Sequence, residues 1–148
     1  MLRLCVCPLL ALLAALPCRG ATPSSVDLGF NVASNYKELE VGYLPMAWER
    51  GPGYLFGSMR VGLGLVVPKG DHPNGVRLHL DTLGSDRGAY LQAGFIVSAG
   101  QDLGTGVGAR LGVGYRWRQG VRLTVLADGV AGSRKSEGSV GIQAAYTF

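Results

Sequence analysis

The chain has 148 residues, with 14 Lys+Arg against 10 Asp+Glu, 24 glycines and 47% hydrophobic residues. That is one domain's worth of chain, and its charge balance gives no argument for nucleic-acid binding. All three cysteines (Cys5, Cys7, Cys18) fall within residues 1–20, so the rest of the chain cannot be a disulfide-stapled scaffold.

The first segment sets the compartment. Arg3 precedes an apolar run, Leu9 to Leu16, that breaks at Pro17 and is followed by Cys18-Arg19-Gly20. This reads as a secretory signal peptide cut after Gly20, with an apolar core too short to span a bilayer as a helix. A lasting anchor and lipid attachment at Cys18 are the alternatives; Pro17 stands where lipoproteins usually carry Gly or Ala. The expected organisation is a signal peptide at 1–20 and one domain at 21–148. Without Arg3 and Arg19 the basic count falls from 14 to 12 against 10 acids, so the basic pI is partly a property of the signal segment.

Beyond residue 20 the pattern has period two, broken by Gly, Pro, Asn, Asp and Ser. Strands are expected at 25–33, 37–47, 54–67, 75–82, 88–98, 107–118, 121–131 and 139–148. The second is interrupted by Pro45, which predicts a bulge or an early strand end. Each strand has an apolar face, such as Val26, Leu28, Phe30 and Val32 in the first or Val140, Ile142, Ala144, Tyr146 and Phe148 in the last. The opposite faces carry Gly, polar and charged residues. Eight segments averaging about ten residues suit tilted membrane strands. The fold expected is therefore all-β, an eight-stranded antiparallel up-and-down transmembrane β-barrel.

Cost decides which face meets lipid. A charge near the midplane of the lipid face costs roughly 2–4 kcal/mol, so the apolar faces point outward. Inward glycines (Gly62, Gly64, Gly108, Gly112, Gly114) then make room for long side chains from other strands. With both chain ends on one side of the membrane, Trp48, Tyr54, Phe56, Tyr90, Tyr115, Trp117, Tyr146 and Phe148 fall at one level, as an aromatic girdle requires. Tyr115, Trp117, Tyr146 and Phe148 are its core.

The last residues, Ala144-Ala145-Tyr146-Thr147-Phe148, resemble the terminal signal of bacterial outer-membrane barrels, with a final Phe and an aromatic two before it. Gly141 is off the usual glycine position of that signal. As a pattern, residues 21–148 resemble small eight-stranded outer-membrane barrels of the outer-membrane protein A and X type. The resemblance implies a Gram-negative outer-membrane location in the cell envelope, contact with lipid and lipopolysaccharide, and recognition of the last strand by the barrel-assembly machinery. It rests on architecture and names a fold and a place.

The inward residues read as a polar core. Asp27, Asn31, Glu38, Glu40, Ser58, Arg60, Arg77, His79, Asp81, Gln92, Arg110, Arg116, Arg118, Arg122, Thr124 and Asp128 all face the lumen in this register. An ion-pair network is expected among Glu40, Arg60, Arg77, His79, Asp81, Arg110 and Asp128, with Arg110 diagonal to Asp128 and Glu40 near Arg60. Arg116, Arg118 and Arg122 cluster at the expected periplasmic mouth, with no obvious carboxylate beside them. They are expected to be solvated or to meet lipid phosphates. The expected role is non-enzymatic: a structural or surface-interaction barrel with a largely filled lumen. Two alternatives stand. One is a porin-like narrow channel for small, possibly anionic, solutes drawn by that cluster. The other is a soluble exported barrel binding a small apolar ligand, with the faces reversed.

Chemistry finds little support. Lipid A deacylases of this barrel class use a His-x-Ser arrangement; here His79-Leu80-Asp81 has Asp in the Ser position and points inward, and His72 lies in a loop. Two separated histidines without cysteine do not make metal-ligand spacing, so no metal or cofactor is expected. Gly62-Leu63-Gly64 and Gly112-Val113-Gly114 open no helix and are not phosphate loops. The outer connections, near 34–36, 68–74, 99–106 and 132–138, are short, and Lys69, Arg134 and Lys135 are placed to meet lipopolysaccharide phosphates.

Overall fold

The computed structural model describes residues 21–22, 25–48, 58–71, 73–84, 88–100 and 103–148. The expected signal segment lies outside these residues, as do Tyr54, Phe56 and His72. Eight long strands make up the described fold: β1 (Ser25–Ala33), β2 (Tyr36–Trp48), β3 (Ser58–Pro68), β4 (Gly75–Leu83), β5 (Gly88–Gly100), β6 (Gly104–Arg116), β7 (Val121–Gly132) and β8 (Ser136–Thr147). A two-residue strand, Ala21–Thr22, continues the line of β1 and pairs with the end of β2. Each strand is antiparallel to its sequence neighbours, and β1 also pairs with β8, which closes the sheet into a barrel. This is the all-β eight-stranded architecture expected from the sequence.

The register fixes the stagger of the closed sheet. Direct partners run Leu28, Val41, Leu63, Leu78, Val97, Val107, Ala131, Ser136 around the wall, yet the partner of Leu28 on β8 is Tyr146, ten residues beyond Ser136. A stagger of that size over eight strands tilts each strand by about 40° from the axis, within the range of membrane barrels.

Pro45 acts as its chemistry demands. Tyr43 pairs with Val61 and Met46 with Met59, so β2 carries one more residue than β3 over that stretch. The missing N–H is absorbed in a bulge. At two other places the strands outrun expectation: β6 begins at Gly104 and β8 at Ser136, each three residues early. Gly104-Thr105-Gly106 and Ser136-Glu137-Gly138 have the composition of turns, but their backbones complete ladders with β5 and β7. The connection between β6 and β7 turns on Gly120, whose φ of 84° lies in the left-handed region that side chains avoid.

The barrel is inside out relative to a soluble one. Phe95 is 70% exposed and Leu111 64%, whereas Arg60, Arg110 and His79 are 0% exposed. Apolar clusters inside lie at the two ends, while Leu126, buried in the middle of β7, is an apolar residue between them. At the distal end, Ala33, Tyr36 and Val66 form one cluster and Ile96, Leu103 and Val130 another. At the proximal end, where β1 begins and β8 finishes, Leu44, Leu83 and Tyr90 form the third. The polar core lies between these stoppers.

Candidate functional site

Arg60 on β3 and Arg110 on β6 organise the lumen. Arg60 grips Asp27 with two nitrogens: Nε is 2.8 Å from Oδ2 and Nη2 is 2.6 Å from Oδ1. Its Nη1 donates to Glu40 and lies 3.2 Å from Asp81 Oδ2. Arg110 sends Nε to Asp128 Oδ1 at 2.9 Å, Nη1 to Glu40 Oε2 at 3.2 Å and Nη2 to Glu38 Oε2 at 3.1 Å. Glu40 therefore joins the two guanidiniums, and it also accepts from Gln143 Nε2 at 2.9 Å. Because β2 and β6 stand on opposite sides of an eight-stranded ring, the Arg110 contacts span the whole lumen. Forked guanidiniums suit this role, since each presents several donors in fixed geometry.

Glycines on β2, β3 and β5 make room for these groups. A Cβ at Gly42 would collide with the Asp27 carboxylate and the Arg60 guanidinium, one at Gly62 with Glu40, one at Gly64 with Glu38, and one at Gly94 with Asp81. Of these four, the sequence had singled out Gly62 and Gly64.

Glu40, Arg60, Arg77, His79, Asp81, Arg110 and Asp128 all lie in this one buried cluster. Arg110 and Asp128 are direct partners across β6 and β7, closer than the diagonal relation expected. Arg77 stacks over the Tyr36 ring at 4.2 Å and lies 3.7 Å from Asp128 Oδ2. His79 Nε2 is 2.5 Å from Glu38 Oε1. Asp27 and Glu38 belong to the same network, together with Tyr36 and Gln143, and Tyr90 lines the lumen beside it; the expected network includes none of these last three. Tyr36 donates to Asp128, and Tyr90 is hydrogen-bonded to Thr124. Parity was the signal for all three, because they share their strand faces with Glu38, Gln92 and Gly141.

Two expectations need correction. Arg122 is not a solvated mouth residue: it is buried, with Nη2 2.5 Å from Asp27 Oδ2. Of the three, Arg118, in the β6–β7 turn, is exposed, while Arg116 is half-buried with Nη2 3.4 Å from Thr147 Oγ1. The basic trio is thus split between lumen and rim, because Asp27, two strands away, supplies a carboxylate that adjacent-strand pairing does not reveal. Tyr90 likewise points into the lumen and does not join the outer aromatics. Tyr115 and Trp117 pair edge-on at 5.0 Å, as do Tyr146 and Phe148 at 4.9 Å, all four on the outer wall at the proximal end.

Glu38, Glu40 and His79 bring potential metal ligands within 4.8 Å of one another. Arg110 touches both carboxylates and Arg60 touches Glu40, so guanidiniums already occupy the cation positions around them. With His79 turned inward, the arrangement offers no histidine–nucleophile pair on the outer wall among the described residues.

Neither protein-family models nor curated proteins match the chain by sequence. Solved structures match by fold. The N-terminal β-barrel domain of Pseudomonas aeruginosa OprF aligns with 86% of this chain and 99% of its own, at 14% identity and a TM-score of 0.54. The outer membrane enzyme PagL aligns with 84% of this chain and 98% of its own, also at 14% identity, with a TM-score of 0.52. The chain thus has the fold of small eight-stranded outer-membrane barrels.

Proposed function

We propose that the chain is a non-enzymatic integral outer-membrane protein whose barrel is a filled structural element that presents a small surface to the envelope. One observation carries this reading: guanidinium–carboxylate contacts bridge opposite walls of the lumen at 0% exposure. A conduit needs a continuous wet path, and these contacts lie across it between apolar stoppers. The apolar outer wall and its edge-paired aromatics suit lipid and its interface. Arg134 and Lys135, exposed at the distal rim, suit lipopolysaccharide phosphates, while Lys69 Nζ holds the Ala33 carbonyl at 2.7 Å and braces the first turn. The C-terminal strand suits recognition by the assembly machinery.

The test is single-channel recording of the full chain in planar bilayers, together with mass analysis of lipid A from expressing cells. No steady conductance and unchanged lipid A are expected. Sustained current, or a lost acyl chain, would overturn the reading.

A further inference from the structure

The outer wall is uneven. Along β7 the outward side chains shrink toward the distal rim, from Leu123 and Val125 to Ala127, Gly129 and Ala131. The direct partners of Gly129 are Ala109 on β6 and Gly138 on β8, so this level carries nothing larger than a methyl across three strands. Phe95 on β5, the partner of Ala109, stands up on one side, and Val107, Leu111 and Val140 border the rest. Two adjoining hollows of 490 and 680 Å³ follow this course, making a trough from the middle of the wall to the rim.

Nothing inside the barrel requires these two glycines. The lumen glycines make room for carboxylates and guanidiniums, but a Cβ at Gly129 would meet nothing within 4 Å, and one at Gly138 only the Asp128 carbonyl at 3.8 Å. Glycine weakens a strand interior, so a facing pair here costs stability and leaves space open on the lipid side. The trough ends under the β7–β8 turn, which carries Arg134 and Lys135, both exposed. The hydroxyls of Ser133 and Ser136 stand beside them, and half-buried Glu137 is the neighbouring acid. The turn is held in place: the Ser133 N–H donates to the Thr105 carbonyl at 2.8 Å and the Arg134 N–H to the Leu103 carbonyl at 3.2 Å.

We propose that the trough seats one acyl chain of a lipopolysaccharide molecule whose phosphates meet Arg134 and Lys135. A smooth apolar wall holds no particular lipid, because tails are as apolar as the side chains and only close packing favours one arrangement. The trough supplies that packing on its floor and both banks. The basic turn supplies charge of the right sign at the end where a headgroup lies. A hollow drawn out along a strand and ending at cations fits a chain with an anionic head better than it fits a second barrel. The inference rests on the outer-membrane reading above, with the distal rim in the outer leaflet.

The test mixes the full chain, folded in detergent micelles, with rough lipopolysaccharide or with phosphatidylglycerol and weighs the complexes by native mass spectrometry. One lipopolysaccharide per barrel should be retained, in preference to phosphatidylglycerol. Gly129→Ile fills the trough with a side chain that lipid tolerates and should abolish retention. Gly138→Val serves the same purpose if the heat-modifiable gel band shows that the first variant does not fold. Arg134→Gln combined with Lys135→Gln should weaken retention by roughly tenfold or more. Retention untouched by the filling variants, or equal retention of phosphatidylglycerol, would overturn the proposal. Barrels that run as pairs until Gly129→Ile separates them would overturn it in favour of a second copy. Planar-bilayer current is a separate readout. A silent barrel that retains no lipopolysaccharide sinks the trough alone, and a conducting one that retains it sinks the filled lumen alone.

Discussion

Arg60 and Asp27 sit two strands apart and meet fork to fork across Gly42, with Nη2 2.6 Å from Oδ1. The pair exists because the strand between them contributes no side chain at that point. Gly42→Val should push the two charges apart inside the wall, at a cost of about 3–5 kcal/mol, typical of breaking a buried pair. The measurement is urea-induced unfolding in vesicles. Gly129→Ala, where an added Cβ meets nothing within 4 Å, should leave the transition unmoved.

Arg110 serves three carboxylates, Glu38, Glu40 and Asp128. Arg110→Met should therefore destabilise the barrel by at least about 3–5 kcal/mol. Adding Glu40→Gln should cost less than the two single losses summed, because the charge stranded by the first change is removed by the second. A double-mutant cycle on the same urea transition checks this.

The outer wall should respond to depth. Leu111 is 64% exposed near the middle of β6, and Tyr115 lies one turn of the pleat from its end. Leu111→Arg should cost roughly 2–4 kcal/mol and Tyr115→Arg about 0–1 kcal/mol. Equal costs at the two positions would mean that the wall does not cross a bilayer in this orientation.

Leu83 belongs to the proximal stopper with Leu44 and Tyr90. Leu83→Ala should lower stability by about 2–5 kcal/mol, yet planar-bilayer recordings should stay silent. The charged layer behind the stopper still bridges the walls, so trimming one plug does not open a path.

Much of this architecture could be read from residue order alone. Alternation in segments such as Val140 to Phe148 assigns both strand and face, because a one-residue error would turn every apolar side chain inward. The Pro45 bulge followed from a missing donor. What stayed hidden was contact across the lumen. Adjacent-strand pairing relates Arg110 to Asp128, but nothing local relates Arg110 to Glu38 on the opposite wall, or Arg122 to Asp27 beyond β8. Those meetings depend on the stagger of the closed ring, a property of the whole sheet. Tyr36 and Tyr90 were lost for a different reason: one sits at a strand edge, and aromatic character pulled the other toward the girdle.

The stoppers at the two mouths have a consequence for environment. Surface ion pairs weaken as salt shortens the Debye length, to about 8 Å in physiological medium and about 3 Å at 1 M. Arg60 and Arg110, at 0% exposure between the apolar clusters of Leu44, Leu83 and Tyr90 at one end and Val66, Ile96 and Leu103 at the other, are out of reach of that shielding. The buried ion pairs of this barrel should therefore weaken far less with added salt than pairs on its rim.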